Sequence, residues 1–151
     1  MRFVFDTNVL IDGFQDDFSA QAKLIDAVRD GEITALVIPK VMNEYRLILR
    51  RLISDPNYKD RIEDFFTMTE MVNSADADVV IDDQEDYKFI QTALGGQAEY
   101  IITNDRHLLD IGEVEDIRIV SPKEAWQLVQ DETSGGSGEW NSFVQGLGIG
   151  R

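Results

Sequence analysis

The stretch that decides the fold is residues 2–11, Arg-Phe-Val-Phe-Asp-Thr-Asn-Val-Leu-Ile. Its first four residues, Arg2–Phe5, are rich in side chains that favour β structure and predict a strand. The polar triplet Asp6-Thr7-Asn8 then ends this strand. The chain therefore opens with a strand that carries an acidic side chain at its carboxyl end.

The remainder of the chain alternates short β-rich runs with longer segments of helical periodicity. This alternation indicates an α/β fold with a largely parallel sheet. Further extended segments are predicted at 33–38, 77–81, 99–103 and 117–120. Helices are predicted at 19–30, 39–52, 58–72, 84–94, 105–109 and 122–130. Their bounds follow from serine N-caps, prolines in first turns and terminating glycines: Ser19, Ser121, Pro39, Pro122 and Gly95-Gly96.

Three segments are expected along the chain. Residues 1–132 form the folded domain, residues 133–138 have the Gly/Ser composition of a flexible linker, and residues 139–151 form a tail. Trp140 and Phe143 are expected to anchor the tail in an apolar groove, because large aromatic side chains are rarely left free.

Composition limits the class of protein. The 151 residues suffice for one domain with its own core. The absence of cysteine excludes disulfide scaffolds, thiolate metal sites and cysteine nucleophiles. The apolar runs are too short to cross a bilayer, and the residues after Met1 lack the features of a signal peptide. A cytoplasmic protein with no membrane contact is therefore expected.

The formal net charge of −15 argues against broad, salt-driven binding of nucleic acid. A carboxylate site raises the acidic count by itself, however, and a bound divalent ion reverses the local sign of charge. The basic residues are also concentrated in one stretch, which suits either a solvated helix face or an RNA-contacting patch. This basic group consists of Lys40, Arg46, Arg50 and Arg51.

Acidic residues stand where predicted strands end and helices begin. Asp6 ends the first strand, Asp105 follows the strand at 99–103, and Asp86 opens a helix. Because the carboxyl ends of parallel strands share one edge, these side chains are expected to converge, with Glu44 within reach. Carboxylates suit Mg²⁺ or Mn²⁺. Such an ion activates water and neutralises charge on a phosphodiester without a covalent nucleophile.

Four short motifs frame these acids. Residues 5–11 read Phe-Asp-Thr-Asn-Val-Leu-Ile, and residues 38–45 read Ile-Pro-Lys-Val-Met-Asn-Glu-Tyr. Residues 86–93 read Asp-Tyr-Lys-Phe-Ile-Gln-Thr-Ala, and residues 95–109 contain Ile-Ile-Thr-Asn-Asp-Arg-His. In order and spacing, from Met1 to about Gln130, these motifs resemble those of the PIN-domain ribonucleases.

The resemblance implies a three-layer α/β/α sandwich with a mostly parallel sheet, and a metal-dependent endoribonuclease. The catalytic, metal-binding residues for Mg²⁺ or Mn²⁺ would be Asp6, Glu44, Asp86 and Asp105. The supporting residues would be Thr7, Asn8, Thr103 and Arg106, the last through a substrate phosphate. Many bacterial members are VapC-type toxins that cut specific RNAs, dimerise and pair with an antitoxin. RNA, an antitoxin and a second copy of the chain are therefore the expected partners.

The third motif requires a choice among neighbouring acids. Asp82, Asp83, Glu85 and Asp86 crowd its start. Asp86 is assigned to the site because it immediately precedes the run Tyr-Lys-Phe-Ile, as the family's acid does.

Structural interpretations of the same residues stay open. Asp6 and Asp105 are suited to capping helices, and Glu44 to a solvated face where Lys40 or Arg46 would pair with it. The single histidine, His107, is interpreted as an ordinary polar residue of a short helix.

Other functions stay open as well. They are an RNA-processing nuclease without an antitoxin, a phosphotransfer module of the receiver or phosphatase type, and a non-catalytic binding domain that kept the fold. A phosphatase would want a second acid where Asn8 stands, and all four acids being present argues against a domain that has lost catalysis.

Overall fold

The computed structural model describes residues 1–78, 81 and 83–133, which build a six-stranded sheet. The strands are β1 (Arg2–Phe5), β2 (Thr34–Val37), β3 (Glu70–Met71), β4 (Tyr100–Ile102), β5 (Glu113–Val114) and β6 (Ile117–Val120). Their order across the sheet is β3-β2-β1-β4-β6-β5. Every neighbouring pair is parallel except β5 and β6, which confirms the predicted mostly parallel sheet.

Both faces of this sheet are covered. Successive residues of a strand point to opposite faces, and Phe3, Val4 and Phe5 of β1 are all fully buried. The same holds for Ile101 and Ile102 of the adjacent strand β4. Helices must therefore pack on each side of the central strands, which gives the predicted three-layer α/β/α architecture.

In the described part of the chain, six helices connect the strands: α1 (Thr7–Gln15), α2 (Ala20–Arg29), α3 (Pro39–Leu52), α4 (Pro56–Met68), α5 (Gln84–Gly95) and α6 (Arg106–Ile111). A last helix, α7, occupies residues 122–133. Among the described residues, no helix combines the length and hydropathy needed to cross a membrane.

Helix α1 was not predicted from the sequence. It starts directly after β1 because the Asp6 side chain accepts a hydrogen bond from the backbone N–H of Asn8 and caps the helix. The buried side of α1 includes Val9, Leu10 and Phe14. The polar triplet that ends β1 is thus also the start of a helix.

The helix predicted at 58–72 begins two residues earlier and ends four residues earlier in the structure. Asp55 is the N-cap and Pro56 the first residue of α4, which ends at Met68 so that β3 can pair in parallel with β2. The extended stretch predicted at 77–81 lies partly outside the described residues. Helix α7 continues to residue 133, and residues 134–151, with Trp140 and Phe143, are not among those described.

Candidate active site

Asp6 is the buried centre of the site. It lies at the carboxyl end of β1 and is only 6% exposed. Thr103, which follows the neighbouring strand β4, donates a hydrogen bond from Oγ1 to Asp6 Oδ2 at 2.7 Å. Burial raises the pKa of the Asp6 carboxyl, and the nearby charges of Asp105 and Glu44 add to this effect, against the lowering by its hydrogen bonds. The parallel pairing of β1 with β4 is what brings Asp6 and Thr103 together.

Asp105 is held by the same threonine. Its backbone N–H donates to Thr103 Oγ1 at 2.9 Å. Its Oδ1 caps α6 by accepting hydrogen bonds from the N–H groups of His107 and Leu108, at 2.8 and 3.2 Å. The capping interpretation of Asp105 is therefore correct for one oxygen, and its charge still acts on the site, where it raises the pKa of Asp6 and Asp86.

Glu44 is fixed at both of its oxygens. Thr7 Oγ1 donates a hydrogen bond to Oε2, and Lys88 Nζ lies 2.7 Å from Oε1. The partner of Glu44 is thus Lys88, and neither Lys40 nor Arg46 is paired with it. On the same helix, the fully buried Tyr45 donates its hydroxyl hydrogen bond to the carbonyl oxygen of Phe5. This contact ties α3 to the end of β1 and so presents Glu44 to the site.

The crowded acids of the third motif have different roles in the structure. Asp83 caps α5 by accepting from the N–H of Glu85 at 2.8 Å, and Glu85 pairs with Lys88 at 2.9 Å. Asp86 faces the site, where burial raises its pKa to about 6 with further contributions from Asp105, Asp83 and Asp6. Asp82 is not among the described residues. Asp86 and Glu85 both line the cleft described next, and the choice of Asp86 stays a prediction.

An open cleft of about 250 Å³ joins these groups. Its lining residues are Asp6, Thr7, Asn8, Glu44, Ile48, Glu85, Asp86, Lys88 and Phe89. Asp105 does not line this cleft, although its charge acts on Asp6 and Asp86. Among the described residues, no three carboxylate or imidazole groups converge closely enough to ligate a single ion.

The donor set nevertheless fits a hydrated Mg²⁺ or Mn²⁺. Mg²⁺ keeps several waters and is bound by one or two carboxylates together with substrate phosphates, so it does not need an all-protein cage. Burial is the main cause of the raised pKa of Asp6 and Asp86. Both supply hard oxygen atoms at an open cleft lined by four carboxylates and one ammonium group, which leaves a net negative charge there. A divalent ion is the species that would compensate it.

Lys88 is the residue that sequence reasoning missed. Its side chain is buried in the cleft between α5 and α3, with 3% of the residue exposed. The sequence offered one signal, a lysine followed at once by the apolar pair Phe89-Ile90 and preceded three positions earlier by Glu85. That spacing matches an i,i+3 ion pair on a helix.

The remaining predicted residues lie at the margin. Arg106 and His107 are exposed on α6, and Asn8 is an exposed residue lining the cleft. Part of the basic group on α3 is engaged with α4, because Arg46 stacks over Phe66 and Arg50 pairs with Glu63.

Comparison with known proteins places this geometry in a family. The family model described as the PIN domain matches residues 2–107, which is more than half of the chain. None of the curated proteins has a significantly similar sequence. Among solved structures, the VapBC2 complex of Rickettsia felis, bound to a DNA fragment from its promoter, contains a similar chain. The two chains are 10% identical with a TM-score of 0.55, over 80% of this chain and 98% of that one. The family match over residues 2–107 shows that this chain belongs to the PIN-domain family.

Proposed function

We propose that this protein is a metal-dependent endoribonuclease whose carboxylates are Asp6, Glu44, Asp86 and Asp105. The observation that carries the proposal is the excess of acidic side chains along the open cleft, where Asp6, Glu44, Glu85 and Asp86 outnumber the ammonium group of Lys88 among the described lining residues. PIN domains are generally nucleases. A site of this charge would repel a phosphodiester unless a divalent ion lay between them.

Different residues of the chain would bind the metal ion and orient its ligands. A bound Mg²⁺ or Mn²⁺ supplies a Lewis acid that activates water and stabilises the charge developing on the phosphodiester. Asp6 is held in one orientation by Thr103 and by the backbone of Asn8. Asp86 contributes a second carboxylate from the first turn of α5. A phosphate that enters the open side of the cleft would meet the ion together with these side chains.

The biological role that we infer is that of a VapC-type toxin with RNA as its substrate. The fold likeness to a chain of the VapBC2 complex supports this role, and an antitoxin and a second copy of the chain would then be its partners. The cytoplasm stays the predicted location, since RNA is available there. An RNA-processing nuclease would cleave in the same way without an antitoxin, and a test for a neutralising partner encoded beside the gene distinguishes the two.

The proposal predicts that Asp6→Asn lowers Mn²⁺-dependent RNA cleavage at least about a hundredfold, because loss of even an outer-shell partner costs ten- to hundredfold. The measurement is single-turnover cleavage of a labelled RNA in Mn²⁺ and in excess EDTA. Asp60→Asn, an exposed change on α4, is the matched control and should cleave normally. Equal cleavage in EDTA, or full activity of a folded Asp6→Asn protein, contradicts the proposal.

A further inference from the structure

Lys88 places a positive charge inside an acidic cleft. Among the described residues that line the cleft it is the only cationic side chain, and it is almost completely buried. Its ammonium group lies 2.7 Å from Glu44 Oε1 and 2.9 Å from Glu85 Oε2. A buried lysine is retained in its charged form only where such partners surround it.

This ammonium group divides the acids into two sets. In the first set Glu44 is paired with a cation, since Lys88 Nζ lies against one of its oxygens while the Thr7 hydroxyl donates to the other. In the second set Asp6 and Asp105 receive hydrogen bonds from neutral donors only, which are the Thr103 hydroxyl and backbone N–H groups. Among these three acids, direct contact with a cationic side chain is therefore confined to Glu44.

We propose that the ammonium group of Lys88 occupies the position of a second cation, so that the site takes one divalent ion. Asp6 and Asp86, which line the cleft, would hold that ion together with its waters, and Asp105 would act on it through those waters. Glu44 is then a positioning residue, held by Lys88 and Thr7, and does not ligate the ion. This inference rests on the proposed metal-dependent function and deepens it.

The geometry of two-metal sites explains why Lys88 excludes a second ion. Two such ions lie about 3.5–4 Å apart, and one stabilises the attacking oxygen while the other stabilises the leaving oxygen. A lysine ammonium is a compact positive charge, so it can stand beside a carboxylate where a metal ion would otherwise bind. A second divalent ion beside Glu44 would have to displace the ammonium from a 2.7 Å contact. It would then leave a buried positive charge unpaired next to a doubly charged ion, which is strongly unfavourable.

The test counts bound ions and does not depend on activity. Mn²⁺ is titrated into the full chain, and free Mn²⁺ is followed by electron paramagnetic resonance at neutral pH. The natural protein should bind one Mn²⁺ per chain. Lys88→Met should bind a second ion about tenfold more weakly than the first. Lys88→Arg, which keeps the charge, and the exposed control Lys123→Met should each bind one.

The other possible results of this titration contradict either the role of Lys88 or the metal-dependent function. Two ions bound by the natural protein, or one ion bound by folded Lys88→Met, overturns the role of Lys88 and leaves the nuclease proposal standing. No bound ion at all overturns the metal-dependent function itself.

A second pair of variants keeps the test decisive if Lys88→Met does not fold. Glu44→Gln should weaken Mn²⁺ binding by no more than about threefold, whereas Asp86→Asn should weaken it by at least about tenfold. Equal losses for the two variants would place Glu44 among the ligands and overturn the inference.

Discussion

Asp86 lies where burial and neighbouring carboxylates raise the free energy of its charged form. Its pKa in the folded protein is about 6, compared with 3.8 for the free side chain. Between these two values the folded chain binds more protons than the unfolded chain. The penalty for charging Asp86 is therefore absent below pH 4, grows as the pH rises towards 6, and is complete above that.

The prediction is that Asp86→Asn stabilises the metal-free protein at pH 8 by about 1 kcal/mol, a value reduced because Asp86 is partly solvated. The gain should shrink as the pH falls through 6 and vanish near pH 4. Urea unfolding in EDTA across this pH range measures it, with Asp60→Asn as the exposed control. A gain that does not vary with pH would show that burial and neighbouring carboxylates do not raise the pKa of Asp86.

The sequence predicts that acidic side chains gather at this edge of the sheet, but it does not predict that Lys88 lies among them. Asp6, Asp86 and Asp105 are marked by their positions at strand and helix ends, and position along the chain is what a sequence displays directly. The burial of Lys88 depends on how α5 packs against α3, since its partner Glu44 is 44 positions earlier in the chain. Lysines are so seldom buried that composition argues for the surface.

Helices and strands with strong local sequence signals could be predicted from the sequence. The two-residue strands, which depend on pairing with a neighbour, could not. The bounds of β1, α3 and β6 were predicted to the residue, or nearly so, because apolar runs, prolines and caps mark them. Strands β3 and β5 have two residues each and exist only through pairing with a neighbour. Helix α1 has an N-cap and an apolar side, as a predictable helix should. It was not predicted because its N-cap, Asp6, belongs to the polar triplet that was interpreted as the end of β1.

Helix α5 depends on a close approach at its last residue. A Cβ atom added at Gly95 would lie 1.6 Å from the backbone oxygen of Asn73, so the loop before α5 leaves no room for a side chain. Gly95→Ala should destabilise the protein by about 3 kcal/mol in urea unfolding, because the clash is with backbone and cannot be relieved by a rotamer change.

Gly13→Ala provides the comparison for this prediction. Its added Cβ atom would meet the end of the Ile25 side chain at 2.4 Å, a group that can move, and backbone of α2 at 3.0 Å. Its loss of stability should therefore be the smaller of the two. The reverse order would show that the loop at Asn73 yields more easily than the contact between α1 and α2.

The whole molecule carries a net charge of −15, and its proposed substrate is a polyanion. Their long-range interaction is repulsive, and added salt screens it within about 10 Å at 0.1 M. Raising KCl from about 20 to 200 mM at constant Mn²⁺ should raise kcat/KM for RNA by about threefold. The kcat at saturating RNA should change little, since it excludes the encounter. A steep fall in kcat/KM would show instead that a basic surface such as the basic group on α3 dominates binding.

The sheet of this molecule ends on both sides in a two-residue strand, β3 at one edge and β5 at the other. An exposed edge of normal length offers a row of unpaired backbone groups to which another chain can add a strand. Here each edge offers at most one repeat of that pattern, too little to recruit a strand from another molecule. The described edges of the sheet are therefore poorly suited to fibril-like growth by addition of strands.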